Sequence, residues 1–580
     1  MVKVPLKIFV EVAWKQKIKV VFLLLLVLWP FLYITTTIND DAFVYYTYAK
    51  NFARGNFFAY DPREFASEGF TSIAYLLLLV PFELARIPLP LAALLINMCS
   101  IFGAAILCCK IFEVMFPSKV RNSYWVGFAF LFACFLDTNV TVLMGWGLET
   151  LLNIPACFGF IYGAVLLFRW GKTKDFNLLL FAYAMSVLVR PENLLLGFPW
   201  IVLGFFSLSS KRKGAQSVAV FLLVGLAFLS WKYCVFKDLL PTGFYRKMSG
   251  QSIDVTYLKS YLSEYSLVFQ PVYWIGIVSI LLQPELFRNN SLLKKTGLAG
   301  VLMFIGLAMF ILRIEPIQGY FQRYLTIATL GMYLVGASLF ALIIPARKSV
   351  NILFAVVMIT VLFSGVKQKQ RSSPFLLHRE VLKQLESNPY VMLGRYLQKN
   401  VEHPEEISLM FGDAGSIPYF FDCKFVDING LTEPAIAKMF KGGQRKEKVT
   451  EYVSRQKLDM AVLAVENKWL NLGKDSQRLP QGPLKSAGEY AHLLRQMRKD
   501  GFVYAGTIHA SDYELHFGLN RNSPRFSDLK QVLSEYISMG TGFVKETDLV
   551  LEFSTGNLRF ENIVRVPQST EKQGDVSKTL

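Results

Sequence analysis

The stretch SVAVFLLVGLAFLSWKYCVF, residues 217–236, decides the fold class of this 580-residue chain. Its only charged residue is Lys232, and an apolar helix of about 20 residues spans the roughly 30 Å hydrocarbon core of a bilayer. Runs of the same kind lie at residues 20–38 and 321–344. Because most apolar residues precede Lys367, the sequence predicts a polytopic membrane protein with a polar C-terminal part.

We predict an all-α polytopic transmembrane bundle of about 11–13 spans at residues 1–366. A soluble α/β C-terminal domain on the outer face is predicted at residues 367–567, and a disordered tail at residues 568–580. The number of spans stays open. The loops on either side of residues 110–150 fall on their predicted sides of the membrane only if residues 138–146 also cross or re-enter it. Helices are predicted near residues 71–88, 90–109, 122–137, 150–168, 176–189, 193–208, 216–236, 270–284, 297–313, 321–345 and 350–366.

The net charge of +18 is concentrated in short segments between apolar runs. Such clusters mark cytoplasmic loops by the positive-inside rule, and anionic lipid headgroups attract them. This accounts for the basic charge without a nucleic-acid partner. The N-terminus is therefore predicted to be cytoplasmic, and residues 39–70 form the first outer loop. The basic clusters lie at residues 3–19, 169–174, 211–213, 288–295 and 347–348.

Asp40 and Asp41 directly follow the first apolar run. Two carboxylates at a membrane boundary carry a desolvation cost, which favours a functional role; the alternative is a solvated acid pair with no role. A carboxylate at this place can act as general base on an acceptor hydroxyl. Since adjacent residues do not share a helix face, we expect one base rather than the facing pair of a retaining enzyme.

Other polar side chains fall at the predicted outer ends of spans or in outer loops. Arg246 and Lys247 lie beside Tyr245 in a predicted outer loop, where the positive-inside rule argues against basic residues. A phosphate ligand is one reason for their presence, and attraction to phospholipid headgroups is the alternative. Glu149 lies in a glycine-interrupted segment at membrane depth, and such segments are typical of a cavity wall. The alternative is that Glu149 is an acid in a loop near the lipid headgroups. Arg190, Glu192 and Arg323 either pair structurally or line the same cavity. These residues are Glu149, Arg190, Glu192, Tyr245, Arg246, Lys247 and Arg323.

Five segments resemble, in order, bacterial glycosyltransferases of the C superfamily, particularly the group containing the terminal arabinofuranosyltransferases of mycobacterial cell walls. The first segment is DDAFVYYTYAKNFARGNFFAYDPREFASEGFTSIAYLLLLVP at residues 40–81. The others are GLETLL at 147–152, VRPENLLL at 189–196, FKDLLPTGFYRKM at 236–248 and GDAGSIPYFFDCKFVDINGLTEP at 412–434. The resemblance therefore extends over most of the chain.

The resemblance implies inverting transfer of a sugar from a polyprenyl-phosphate donor on the outer face of a bacterial inner membrane. The acceptor is then a glycan or glycolipid of the cell envelope, and membrane lipids surround the protein. By the same resemblance Asp40 or Asp41 supplies the base, and Glu68 binds sugar hydroxyls. Where the family often has Pro-Asn-Thr, this chain has Pro241-Thr242-Gly243, which departs from the family's donor-contacting turn.

No cofactor is required by this chemistry, because arginine and lysine can take the phosphate charge. The five histidines and seven cysteines show no metal-ligand spacing, although a divalent ion near Asp40, Asp41 or Glu68 stays open. Two other classes of function are also open. One is a lipid or sugar transporter or flippase, and the other is a non-enzymatic assembly factor with a transferase fold.

Overall fold

The structure is a computed structural model, and it describes residues 38–247, 290–312, 323–343, 388–439, 445–466, 487–509, 513–539, 547–548, 551–554 and 557–560. The first predicted span at residues 20–38 and those at 270–284 and 350–366 lie almost wholly outside these ranges. The chain divides into two compact units. Unit 1 comprises Met1–Glu406 and Asp413–Gly443, and unit 2 comprises Ile407–Gly412 and Gln444–Leu580.

Unit 1 is mainly helical. Most of its helices are strongly apolar, and their bounds follow the predicted spans because the apolar runs end at polar or glycine residues. The helices of its larger part are α1 (Asp40–Ala53), α2 (Ile73–Leu84), α3 (Leu89–Met115), α4 (Ser123–Leu136), α5 (Thr138–Gly145), α6 (Asn153–Trp170), α7 (Thr173–Val189), α8 (Asn193–Ser207), α9 (Lys211–Phe236), α10 (Thr242–Lys247), α11 (Ser291–Ile311), α12 (Thr326–Ile343) and α13 (Pro389–Asn400).

Among the described residues, four helices are long and apolar enough to cross a membrane: α3, α6, α9 and α11. A fifth crossing arises if the bent pair Pro117–Phe135 and Asn139–Gly145 is one span; the two helices meet at 80°. This pair includes residues 139–145, where the sequence left a crossing or a re-entry open. The apolar helices indicate a membrane protein, whereas the predicted number of spans stays a prediction.

The helix bounds place acidic and basic segments at opposite ends of the bundle. α6 begins close to Glu149 and ends at the basic segment 169–174, and α7 returns from there to Arg190. α8 and α9 repeat this arrangement, with residues 211–213 at the basic end. Of the segments that the charge pattern predicted to be cytoplasmic, residues 169–174 and 211–213 therefore share one end.

Contacts at the basic end join helices that are distant in sequence. Arg169 donates from Nη1 to the carbonyl oxygen of Val114 at 2.7 Å, and Lys295 Nζ donates to Ser207 Oγ at 3.2 Å. α3, α6, α8 and α11 thus meet at the end that carries the basic residues.

The segment 413–439 packs against α1, although it lies within the range predicted as a soluble domain. It contains α14 (Ser416–Phe420), β2 (Lys424–Asp427) and α15 (Pro434–Lys438). Lys50 Nζ donates to the carbonyl oxygen of Tyr419 at 3.0 Å, and Tyr60 Oη donates to that of Ala414 at 2.6 Å. The Phe43 ring lies 5.4 Å from that of Tyr419. The segment therefore belongs to the same unit as the helices.

Unit 2 is a small α/β domain. Its strand β3 (Met460–Glu466) pairs in parallel with β1 (Ser408–Phe411) and antiparallel with β5 (Tyr513–Asn520). β5 pairs antiparallel with β4 (Phe502–His509), which pairs with the short β6 (Thr547–Asp548). β7 (Leu551–Ser554) and β8 (Asn557–Phe560) form a hairpin. The helices are α16 (Arg445–Arg455), α17 (Ala487–Lys499) and α18 (Phe526–Met539).

Candidate active site

The site is built around the N-terminus of α1. Asn39 caps this helix, since its Oδ1 accepts a hydrogen bond from the backbone N–H of Asp41 at 2.8 Å. The Asn39 N–H donates to the carbonyl oxygen of Trp146 at 3.1 Å, which ties the helix start to the segment after α5. Successive residues of a helix point about 100° apart. Asp40 and Asp41 therefore face different surroundings.

Asp40 faces the segment 413–421. Its Oδ1 accepts hydrogen bonds from the backbone N–H of Ser416 at 2.9 Å and from Ser416 Oγ at 2.7 Å. A Cβ at Gly415 would lie 2.0 Å from Asp40 Oδ2, so only glycine permits this approach. Burial and the nearby Asp413 raise the pKa of Asp40 to about 7, although the Ser416 hydrogen bonds act in the opposite direction. Asp40 is thus an anchor of α1.

We expect the stability of the protein to depend on the titration of Asp40. In the unfolded chain this carboxyl ionises near pH 4, whereas its folded pKa is about 7. Between these values the unfolded state has lost a proton that the folded state keeps, so stability falls as pH rises from about 4 to 7. Asp40→Asn removes the titration and retains an acceptor for Ser416. Midpoint temperatures in detergent at pH 5 and pH 8 check this: the wild type should lose more stability than the variant, and parallel profiles would contradict it.

Asp41 faces a cavity instead. Its side chain is 46% exposed, and the cavity holds about 530 Å³ of non-atom space that is partly open to solvent. The charged residues that line it are Asp41, Glu149, Arg190 and Arg323, and other lining residues are Tyr45, Gly69, Thr71, Gly243, Tyr324 and Leu431. The structure thus brings four of the residues predicted from sequence into one cavity.

A buried ion-pair group forms one wall. Arg190 Nη1 lies 2.7 Å from Glu149 Oε1, and Arg190 Nε lies 2.5 Å from Glu192 Oε1. Thr71 Oγ1 donates to Glu149 Oε1 at 3.2 Å. All three charged side chains are nearly inaccessible to solvent, and the two carboxylates raise the pKa of Arg190 despite its burial. Arg190 therefore stays charged in the cavity wall.

Arg323 and Tyr324 form the adjoining wall. The guanidinium carbons of Arg190 and Arg323 each lie 5.2 Å from the centre of the Tyr324 ring, within the range of cation–π attraction. Arg323 Nη1 lies 3.5 Å from Asp41 Oδ2. Two arginines and one accessible carboxylate thus converge on the same space.

Glu68 has its side chain in an ion pair rather than at the cavity surface. Its Oε2 lies 2.8 Å from Lys232 Nζ, and both side chains are buried. The Glu68 carbonyl oxygen accepts hydrogen bonds from Thr242 N at 3.0 Å and Thr242 Oγ1 at 2.8 Å. Thr242 Oγ1 also donates to the Leu431 carbonyl oxygen. Residues 68, 242 and 431 are thereby joined beside the cavity.

The predicted cationic loop is described only in part. Tyr245 Oη donates to Asp238 Oδ1 at 2.7 Å, and Asp238 Oδ2 lies 2.9 Å from Lys438 Nζ. α10 includes Arg246 and Lys247, whose side chains lie outside the described part of the structure. Their predicted contact with a donor phosphate stays a prediction.

Three residues of the site, Tyr45, Thr71 and Tyr324, were not among the predicted site residues. Tyr45 Oη accepts the backbone N–H groups of Thr71 and Ser72 at 3.2 and 3.1 Å, which holds the loop against α1. Thr71 Oγ1 donates a hydrogen bond to Glu149, and the centre of the Tyr324 ring lies 5.2 Å from the guanidinium carbon of each arginine. Tyr324 adjoins the predicted site residue Arg323, and Thr71 lies in the sequence EGFTS at residues 68–72, which begins with the predicted Glu68. Proximity to predicted site residues was therefore the available signal.

Within the described ranges, no group of three or more His, Cys, Asp or Glu side chains is arranged to hold a metal ion.

The chain matches the family described as Domain of unknown function (DUF8728) over residues 380–518, which is less than half of the chain. No curated protein matches the chain significantly.

Among solved structures, the chain is similar to ArnT from Cupriavidus metallidurans bound to undecaprenyl phosphate. The TM-score is 0.53 at 12% identity, covering 88% of this chain and 98% of that chain. ArnT in the apo state gives a TM-score of 0.45 at 11% identity, with the same coverage of 88% and 98%. The Archaeoglobus fulgidus oligosaccharyltransferase tethered with an acceptor peptide gives 0.40 at 12% identity, covering 84% and 70%.

Only the first of these likenesses describes the fold, and at this identity it describes the fold alone. The neighbours are glycosyltransferases of the C superfamily. The predicted architecture, a mostly helical membrane part with a small C-terminal sheet domain, agrees with that fold. The resemblance to the mycobacterial arabinofuranosyltransferase group stays a prediction.

Proposed function

We propose that this chain is an inverting membrane glycosyltransferase that moves a sugar from a polyprenyl-phosphate donor to a cell-envelope glycan or glycolipid. The observation that carries the proposal is the cavity in which the accessible carboxylate of Asp41 faces the buried Arg190 and Arg323. Arginine offers a fork of N–H donors that matches phosphate oxygens. A base and an anion site thus share one space.

The ends of the helices support the proposed orientation. The described basic segments at residues 169–174 and 211–213, together with Lys295, share the end opposite to Glu149 and Arg190, and such clusters mark the cytoplasmic side. The cavity then opens on the outer face of a bacterial inner membrane, with the N-terminus in the cytoplasm and the C-terminal domain outside. A polyprenyl-phosphate sugar on that face is the donor that the family resemblance of the sequence implies.

A second cavity supports a lipid-linked donor. It shares Arg190, Arg323 and Tyr324 with the first cavity. Its other lining residues are Glu192, the polar Thr150, Asn153 and Thr326, and the apolar Ile154, Leu196, Leu307 and Ile327. A phosphate at the two arginines would place its sugar in the first cavity and the start of its isoprenoid chain against this apolar wall. The similar fold of ArnT, which was solved with undecaprenyl phosphate, is consistent with such a ligand.

The chemistry follows from these positions. Asp41 accepts the proton of the acceptor hydroxyl while the hydroxyl oxygen attacks the anomeric carbon of the donor sugar. The bond between that carbon and the phosphate oxygen breaks, and polyprenyl phosphate leaves with the electron pair. Arg190 and Arg323 stabilise the charge that develops on the leaving phosphate. One displacement inverts the anomeric centre, and the proton then passes from Asp41 to solvent.

The remaining residues have supporting roles in this proposal. Asp40 positions α1 through Ser416 and thereby Asp41. Glu149 orients Arg190 and offers an acceptor to a sugar hydroxyl, and the Glu68–Lys232 pair fixes the first outer loop. An arabinofuranosyl donor, as in the mycobacterial group, is one of several sugars compatible with the site.

The proposal is tested with purified protein in proteoliposomes, supplied with a panel of undecaprenyl-phosphate hexoses, pentoses and amino sugars and an envelope lipid extract as acceptor. Mass spectrometry should detect free undecaprenyl phosphate together with a glycosylated acceptor. Glu113→Gln, which neutralises an acid at the other end of the bundle beside Lys110, serves as the matched control and should retain activity. Movement of intact donor across the bilayer without cleavage would instead identify a transporter. Binding without either process would identify an assembly factor.

A further inference from the structure

The contact between Asp41 and Arg323 differs from the other ion pairs of the cavity. Arg323 Nη1 and Asp41 Oδ2 are 3.5 Å apart, which is longer than a well-formed charge-assisted hydrogen bond. Arg190, by contrast, lies within 2.7 Å of Glu149 and 2.5 Å of Glu192. The Asp41 side chain is also 46% exposed, whereas that of Glu149 is 5% exposed. The pair of Asp41 and Arg323 is therefore the weaker and more accessible one.

The charges that line the cavity are balanced. Among its described lining residues, Asp41 and Glu149 are acids, and Arg190 and Arg323 are bases. An entering phosphate brings further negative charge, and its binding is favoured only if a cation turns from a carboxylate to the phosphate. Breaking the buried Arg190 pairs would leave two acids buried without a cation, which is strongly unfavourable. Opening the Asp41–Arg323 pair leaves only an accessible carboxylate, which water or an acceptor hydroxyl can solvate.

We propose that the donor phosphate takes Arg323 from Asp41, so that Asp41 becomes available as a base only in the donor-loaded protein. This inference rests on the proposed function. Without donor, Arg323 holds the Asp41 carboxylate; with donor, Arg323 neutralises the phosphate and Asp41 turns to the acceptor hydroxyl. The exchange moves no atoms between molecules. It orders the reaction, because acceptor activation follows donor binding.

In this proposal Asp41 and the phosphate compete for the guanidinium of Arg323. The proposal can therefore be tested by measuring binding of the phosphate, without measuring transfer. The probe is undecaprenyl phosphate without a sugar, and its dissociation constant is measured for the wild type, Asp41→Asn, Arg323→Gln and the double variant. We expect Asp41→Asn to bind about threefold to tenfold more tightly than the wild type, and Arg323→Gln to bind more weakly. In the Arg323→Gln background, Asp41→Asn should produce little or no gain, because the cation for which Asp41 competes is missing.

An equal gain in both backgrounds would overturn the proposal, since it would show plain repulsion between Asp41 and the phosphate without exchange. An unchanged or weaker affinity of Asp41→Asn would overturn it as well. If Arg323→Gln does not yield folded protein, Arg323→Lys replaces it; a single ammonium contact should then reduce the gain. Wild-type protein that does not bind the lipid at all would instead contradict the proposed function. Glu113→Gln is the control and should bind as the wild type does.

Discussion

Asp41→Asn should lower the transfer rate by about 10²–10⁴-fold, the usual contribution of a general base, while the protein stays folded. The carboxamide has nearly the same shape as the carboxylate but cannot accept the proton of the acceptor hydroxyl. The Asp41 side chain is largely accessible and its helix-capping contact is made through its backbone N–H, so the substitution leaves the packing of α1 intact. The measurement is single-turnover release of undecaprenyl phosphate under saturating acceptor.

Asp40→Asn is the matched variant for this experiment. Its carboxamide oxygen can still accept the two hydrogen bonds from Ser416, so we expect transfer to remain within about tenfold of the wild type. The reverse result, in which Asp40→Asn abolishes transfer and Asp41→Asn does not, would show that the base is assigned to the wrong aspartate.

Arg190→Met should remove most transfer activity and also destabilise the protein. The substitution takes away a phosphate ligand and leaves the buried carboxylates of Glu149 and Glu192 without the cation that both contact. Removing one partner of a buried ion pair costs about 3–5 kcal/mol. We therefore expect a lower midpoint temperature in detergent and weaker binding of undecaprenyl phosphate.

The triple variant Arg190→Met, Glu149→Gln and Glu192→Gln separates the two effects. Neutral side chains no longer require the cation, so the triple variant should recover much of the midpoint temperature. Transfer should not recover, because no guanidinium is present to stabilise the leaving phosphate. Restoration of transfer together with stability would mean that Arg190 is structural only.

The helices of the bundle were predictable because span length and hydropathy are local properties of the sequence. α9 illustrates this: the apolar run at residues 217–236 lies within the helix Lys211–Phe236. The ends of the helices could also be predicted, since charged segments avoid hydrocarbon. Arg190 and Arg323 were predicted at outer ends for this reason, and Glu149 in a glycine-interrupted segment at membrane depth; the structure brings all three together with Asp41.

The different surroundings of Asp40 and Asp41 could not be predicted. Neighbouring residues on a helix point in different directions, and which of them meets a cavity depends on what packs against the helix. Here the decisive contact comes from Ser416, which is 376 residues away in sequence. No local pattern in residues 39–53 carries that information.

The partner of Glu68 had a signal that the sequence reasoning did not use. Lys232 is the only charged residue in the apolar run at residues 217–236. An ionisable residue within a span is costly and requires a partner, and the ion pair with Glu68 supplies it. The sequence did not indicate which acid this partner would be, because the two residues lie in different segments of the chain.

The most direct test of the central claim is a cryo-electron microscopy structure of the full chain with undecaprenyl phosphate. We predict that the phosphate lies within about 4 Å of the guanidinium groups of Arg190 and Arg323, that Asp41 has moved away from Arg323, and that the lipid chain runs along Leu196 and Leu307. A phosphate bound elsewhere, with the cavity of Asp41 and the two arginines empty, would contradict the account.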